Sequence, residues 1–250
     1  MLKLWKSYIP LITFLFLELA VASPAGPPVI NSLITPLHDL EATMVAQKIN
    51  PEALKQIDPE FARNYALHNL LLLYKAPDMI RLDGVSKIFG RATLILNGPI
   101  RFYVVPKLHL HNVENLSEKP GLRQSLLEYA GLLSPETFAF MSSKPLGVEQ
   151  IKEGSNYLYK LSYNETEPGS FYKIWVDSKT HVVVKRDWYG RDGLLKASFD
   201  CSKIKEVEPS LWVPTRMEVF DSKGASAAVT ELTDIKVNQG LSNALFTVGK

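Results

Sequence analysis

The sequence predicts an α+β fold in which short helices shelter one face of an antiparallel sheet. Three observations predict it. Residues 171–248 read as strand after strand, joined by tight turns. Tyr157, Tyr159, Leu161 and Tyr163 fall on one face of a strand, and Leu158, Lys160, Ser162 and Asn164 fall on the other. That period of two marks a sheet with one sheltered and one wet face. A leucine-rich stretch at about 120–141 interrupts the strands at helical spacing, so it must lie over a face or an edge of the sheet.

Residues 1–22 have the make-up of an export signal. Lys3 and Lys6 precede an apolar run from Ile9 to Leu17, and Ala20-Val21-Ala22 offers a small-x-small cut before Ser23. The run is short for a membrane span, and Glu18 interrupts it. No cysteine lies at the cut, so the exported chain is expected to be soluble and not lipid-anchored. Residues 23–36 are a proline-rich lead-in, expected to be disordered or loosely packed. Leu37, Leu40, Met44 and Ile49 recur at near-helical spacing and predict a helix over 36–49. Pro51 then opens a second helix through Ile57.

The apolar run Tyr65–Tyr74 is read as strand in its second half, and Ala76-Pro77-Asp78 is a turn before an extended Met79–Leu82. Three short strands follow, at 92–96, 100–105 and 107–113, divided by Asn97-Gly98-Pro99 and by Pro106. In the helical island, Leu122, Leu126, Leu127 and Leu133 line one side of a helix over 121–133. Ser134-Pro135-Glu136 starts another through Phe140. From Leu146 the chain returns to strands at 148–152, 156–164, 171–177, 182–189, 194–207, 212–221 and 227–238. Their connections are hairpin chemistry, such as Gly190-Arg191-Asp192-Gly193 and Asp221-Ser222-Lys223-Gly224.

Composition narrows the function. Without residues 1–22 the chain keeps 26 basic and 25 acidic residues. That balance, with no basic stripe, gives no support to nucleic-acid binding. A single cysteine, Cys201, excludes a disulfide scaffold and a cysteine-built zinc site. His109 and His111 are read two apart on one strand face without a third ligand nearby, so no metal is expected, and no cofactor. No nucleophile elbow, zinc-protease helix or phosphate loop is present, and no enzyme activity is expected.

Within that pattern, Trp175-Val-Asp-Ser-Lys-Thr followed by Lys185-Arg-Asp-Trp-Tyr-Gly190 and Asp192-Gly193 resembles a hairpin of the periplasmic lipoprotein-carrier superfamily (LolA/LolB-like). Trp212-Val-Pro-Thr-Arg-Met-Glu-Val219, Lys236-Val-Asn238 and Leu245-Phe246 resemble it too, most of all the outer-membrane lipoprotein-sorting relatives. The likeness is good over about 146–248 and extends in outline over 37–145. It implies one domain from 37 to 250, an open antiparallel half-barrel whose helices cover the concave face. It implies that a hydrophobic cleft takes acyl chains of lipoproteins or related lipids, between a membrane-bound donor and acceptor in the periplasm, by a monomer. The other reading of the same fold is a regulatory interaction module that senses such ligands.

The cleft candidates are Tyr157, Tyr159, Leu161, Tyr163, Phe171, Trp175 and Trp188, whose alternative is ordinary sheet core. Leu126 and Leu127 are candidates for a lid, whose alternative is an amphipathic cover. The family's basic gating residue would fall next to the proline of Lys75-Ala76-Pro77, where this chain has alanine. Lys75 and Arg81 are the candidates to replace it.

Overall fold

The computed structural model describes residues 26–247 except 66, 68, 87–89, 152–153 and 165–168, and not the side chains of 60 and 64. The predicted signal segment lies outside the described residues. Among those described, thirteen strands form one open antiparallel sheet. They are β1 (Asp39–Ile49), β2 (Asn69–Lys75), β3 (Met79–Ser86), β4 (Gly90–Asn97), β5 (Ile100–Val105), β6 (Leu110–Asn115), β7 (Met141–Ile151), β8 (Gly154–Tyr163), β9 (Phe171–Asp177), β10 (Val183–Tyr189), β11 (Leu195–Glu208), β12 (Leu211–Asp221) and β13 (Ser226–Val237). The helices are α1 (Pro51–Ile57), α2 (Pro59–Asn64), α3 (Leu126–Ala130) and α4 (Thr137–Phe140).

The sheet is two meanders, β1–β6 and β7–β13, joined where β1 pairs with β13. This order places β6 and β7 at the two opposite edges. The chain between them must therefore cross a whole face of the sheet. Twelve strand spacings amount to about 58 Å if laid flat. Right-handed twist and bulges, such as those at Glu41/Thr43, Val183/Lys185 and Glu206/Glu208, curl the sheet so that the crossing follows a chord. The crossing segment buries Leu126, Leu127, Leu132 and Leu133 completely. It becomes the plug of the concave face.

The remaining cover is α1 and α2. Asn50 caps α1 by accepting from the Ala53 amide, and Pro51 sits in the first turn. Ala53, Leu54 and Ile57 then pack on Ala197, Phe199, Val219, Ala227 and Ala228, where small side chains let the helix approach the strands. The other concave clusters lie under the plug. One gathers Leu40, Leu72, Tyr74 and Leu82 against Leu126, Ala130 and Leu132, and the other gathers Leu161, Ile174 and Val176 against Leu127, Leu133 and Phe140.

Several expectations need correction. Residues 39–49 form a strand, not a helix. Leu40, Ala42 and Met44 share strand parity and pack on the concave side, so spacing by four also fits spacing by two. The lead-in is docked, because Ile30 and Leu33 are buried in the second cluster and Thr35 donates its amide to the Leu133 carbonyl. The helix expected over 121–133 shrinks to α3. It stops at Gly131, whose φ is 65° and where a Cβ would come within 2.9 Å of Cys201 Sγ. Leu122 is half-exposed and takes no part in the buried stripe. His109 does not share a strand face with His111, since it ends the 3-10 turn at 106–108 with a φ of 50°.

Candidate functional site

The plug is held by apolar contacts and by a small set of buried polar groups. Ser125 precedes α3 and donates its amide and its hydroxyl to Glu128 Oε2, both at 2.8 Å. Thr137 at the start of α4 donates to Ser125 Oγ at 2.9 Å, tying the two helices together. Two backbone bonds anchor the ends of this unit, Val183 N–H to the Gly131 carbonyl at 3.2 Å and Asn164 N–H to the Phe140 carbonyl at 2.9 Å.

Two acidic side chains of the plug reach charged or polar groups of the sheet. Glu136 is buried and accepts from Leu126 N–H at 3.1 Å, Ser134 Oγ at 2.6 Å and Tyr74 Oη at 3.3 Å. Burial pushes its carboxyl up to about 7, although the hydrogen bonds pull the other way. The Tyr74 phenol is raised as well, first by burial and then by the Glu136 charge. Glu128 Oε1 faces Arg186 of β10 at 3.8 Å and has no hydrogen-bond partner among the described residues. Arg186 is 3% exposed. Its guanidinium lies 3.9 Å from the Phe199 ring centre and 5.0 Å from that of Tyr172. The Tyr163 and Tyr172 hydroxyls meet at 3.2 Å beside it. Burial raises the phenols of Tyr65 and Tyr172 to about 12 and that of Tyr163 well above its usual value, while the nearby Arg186 charge opposes the shift in all three.

The sheet register divides the seven cleft candidates between its two faces. Tyr159 pairs with Ile174 and Leu161 with Tyr172, so Tyr157, Tyr159, Leu161 and Tyr163 are concave, and Trp188 joins them opposite Tyr172. Tyr159 and Leu161 are fully buried, and Tyr159 Oη donates to the Pro28 carbonyl at 2.8 Å. Phe171 and Trp175 have the other parity and face outward. Phe171 stacks on Tyr189 at 4.8 Å beneath the Lys160 ammonium. Trp175 packs with Leu158 and Val184 and donates to Glu149 Oε2 at 2.7 Å.

The four gating candidates are separated in the same way. Leu126 and Leu127 are in the plug. Lys75 and Arg81 are on the convex side and donate to the carbonyls of Leu241, at 2.5 Å, and Leu245, at 2.8 Å, holding down the C-terminal segment. The polar groups at the plug are instead Tyr74, Glu128, Glu136 and Arg186, which periodicity did not single out. One signal was available for Arg186. It shares strand parity with Trp188 on a face otherwise apolar.

Among the described residues, side chains of the sheet, the plug and α1–α2 pack together over the concave face. A hollow beneath α3, between Tyr129, Ala130, Cys201 and Pro214, holds about 10 Å³, the room of a single water. A wider open depression of about 580 Å³ lies elsewhere, near Lys185, Ser198, Asp200 and Phe220. Access to the concave apolar surface therefore requires displacement of what now covers it. No helix among the described residues is long and apolar enough to cross a membrane.

An open, curled antiparallel sheet whose concave face is plugged by helices defines a LolA-like half-barrel. Solved structures share this fold. One is a LolA superfamily protein from Nitrosomonas europaea, with a TM-score of 0.61 and 14% identity over 88% of this chain and 94% of that one. A second is a putative outer membrane lipoprotein-sorting protein domain from Vibrio parahaemolyticus, with a TM-score of 0.54 and 12% identity over 87% and 93%. A third is a DUF1329 family protein from Desulfovibrio piger, with a TM-score of 0.51 and 15% identity over 87% and 92%. A family model described only as an uncharacterized protein matches residues 142–250. No curated protein matches the chain.

Proposed function

We propose that this protein is a non-catalytic periplasmic carrier for lipoproteins or related lipids, which takes acyl chains onto its concave face when the plug is displaced. The observation that carries the reading is the chemistry of the plug. Leu126, Leu127, Leu132 and Leu133 present to the sheet the same kind of surface as a lipid tail. Burying four leucines is worth about 6–12 kcal/mol gross, and burying a sixteen-carbon chain at about 0.8 kcal/mol per methylene is worth about 12 kcal/mol. The exchange of one for the other is therefore close to balanced, as capture followed by release requires. Cleft residues in this reading are Tyr157, Tyr159, Leu161, Tyr163 and Trp188, with Leu126 and Leu127 as the moving lid. Phe171, Trp175, Lys75 and Arg81 lie outside the cleft.

Export after cleavage at Ala22, a monomeric state, and transfer between a membrane-bound donor and acceptor complete the proposal. The filled concave face also suits a module that senses lipids and passes the signal to a protein partner. Native mass spectrometry of the chain from residue 23, purified from periplasm without detergent, separates the two. A bound lipid or lipopeptide mass that disappears on denaturation supports the carrier. A clean unliganded mass, with a partner captured by crosslinking, supports the sensor.

A further inference from the structure

Arg186 is a buried cation that its surroundings leave underserved. Its guanidinium has five N–H donors, yet among the described residues it makes no hydrogen bond, and its nearest acidic partner is Glu128 at 3.8 Å. The facing oxygen, Glu128 Oε1, is buried and has no hydrogen-bond partner among the described residues. The other carboxylate oxygen is fixed to Ser125 of the plug. Glu128 therefore travels with the plug, whereas Arg186 stays with β10, an interior strand of the sheet.

We infer that Arg186 binds the anionic group of an amphiphilic ligand, a carboxylate or phosphate borne on an acyl chain, in exchange for Glu128 of the plug. This rests on the acyl-binding reading above and specifies its ligand. A tail that replaced the plug without bringing an anion would leave the Arg186 charge buried and unpaired on a face that includes Leu161, Ile174, Tyr172 and Phe199, which is strongly unfavourable. An incoming anion removes that penalty. A guanidinium meets carboxylate or phosphate with two parallel N–H bonds, geometry that the long Glu128 contact does not achieve. The tail of the same molecule then lies on the apolar surface that the plug leucines vacate. A neutral amphiphile gains the tail contacts but leaves Arg186 uncompensated.

The test compares three ligands with one tail, namely oleate, oleoyl lysophosphatidic acid and monoolein, titrated calorimetrically below their critical micelle concentrations into the full exported chain. The expected result is a preference of about tenfold or more for the anionic ligands over monoolein. Oleate against lysophosphatidate tells a carboxylate from a phosphate site. Arg186→Met should bring the anionic-to-neutral ratio towards one, and Glu128→Gln should widen it by removing the competing carboxylate. Equal affinity for oleate, lysophosphatidate and monoolein in the wild type overturns the inference while leaving acyl binding intact. If Arg186→Met does not fold, the Glu128→Gln ratio decides, and a ratio unchanged from wild type also overturns it. Failure of all three ligands to bind either wild type or Glu128→Gln removes the acyl-binding reading itself, and the inference with it.

Discussion

Two of the segments that cover this sheet lie on opposite faces and are attached by different physics. The plug at 120–140 lies on the concave face and the C-terminal strap at 238–247 on the convex one. The strap is tied mainly through its own backbone. Asp39 accepts the amides of Gln239, Gly240 and Leu241 at 2.8, 2.8 and 3.1 Å, while Lys75 and Arg81 donate to strap carbonyls. Phe246 then fills a gap between Leu73 and Ile95 and is fully buried. The plug, besides the backbone bonds at Gly131, Leu133 and Phe140, offers mainly leucines to the sheet and places two carboxyl groups, Glu128 and Glu136, in buried positions beside Arg186 and Tyr74. Ties to backbone amides and carbonyls suit a permanent attachment. Replaceable apolar contacts and buried acidic side chains suit a reversible one.

The difference between strap and plug is expected to be largest at Phe246. Phe246→Ala should cost about 3–5 kcal/mol in denaturant unfolding, because a large ring leaves a cavity in a packed site. It should leave lipid binding unaltered in the folded fraction, and a change in affinity there would blur the distinction between the segments. Leu127→Ala should cost about 2–4 kcal/mol of stability by the same mechanism, with the opposite functional sign. A weaker plug competes less with ligand, so acyl affinity measured by displacement of a fluorescent fatty acid should rise. Lower stability accompanied by unchanged or weaker binding would show that the plug is a fixed part of the fold.

A smaller effect sharpens the comparison through pH. Burial raises Glu136 from its ordinary carboxylate value of 4.5 to about 7. The folded protein therefore holds this proton across a window where the unfolded chain has lost it, and stability falls as pH rises from about 4.5 to 7. Over that window the loss is of order 3 kcal/mol, and it is absent below and constant above it. Glu136→Gln, which stays neutral throughout, should flatten this part of the profile when unfolding is measured at pH 5 and pH 7.5. An identical slope in variant and wild type would place the pH dependence elsewhere.

Much of the strand pattern was legible because local chemistry sets it. The hairpins from Phe171 onwards are fixed by their turns, Asp177 accepting from Lys179 and Thr180 and Asp221 from Lys223 and Ala225. What escaped depends on pairing far along the chain. Phe171 and Trp175 face away from Tyr159 because of how β8 and β9 register across the intervening loop, and nothing in the loop composition gives its parity. Leu70 to Tyr74 is apolar without alternation because the plug covers one face of β2 and the strap part of the other, which only the strand order reveals. The same strand order obliges the segment between β6 and β7 to cross the concave face. The buried charges were obscured for a related reason. Arg186 and Glu128 look like solvated residues until the helices are laid over them.

Whether acyl chains take the place of the plug is decided by amide hydrogen exchange across residues 125–140, with and without a saturating diacylated lipopeptide. Exchange should accelerate in α3 and α4 when ligand binds, while the strap at 241–247 and the sheet keep their protection. Ligand bound with plug protection unchanged or increased would contradict the account, because the acyl chains would then be lodged somewhere other than beneath the plug.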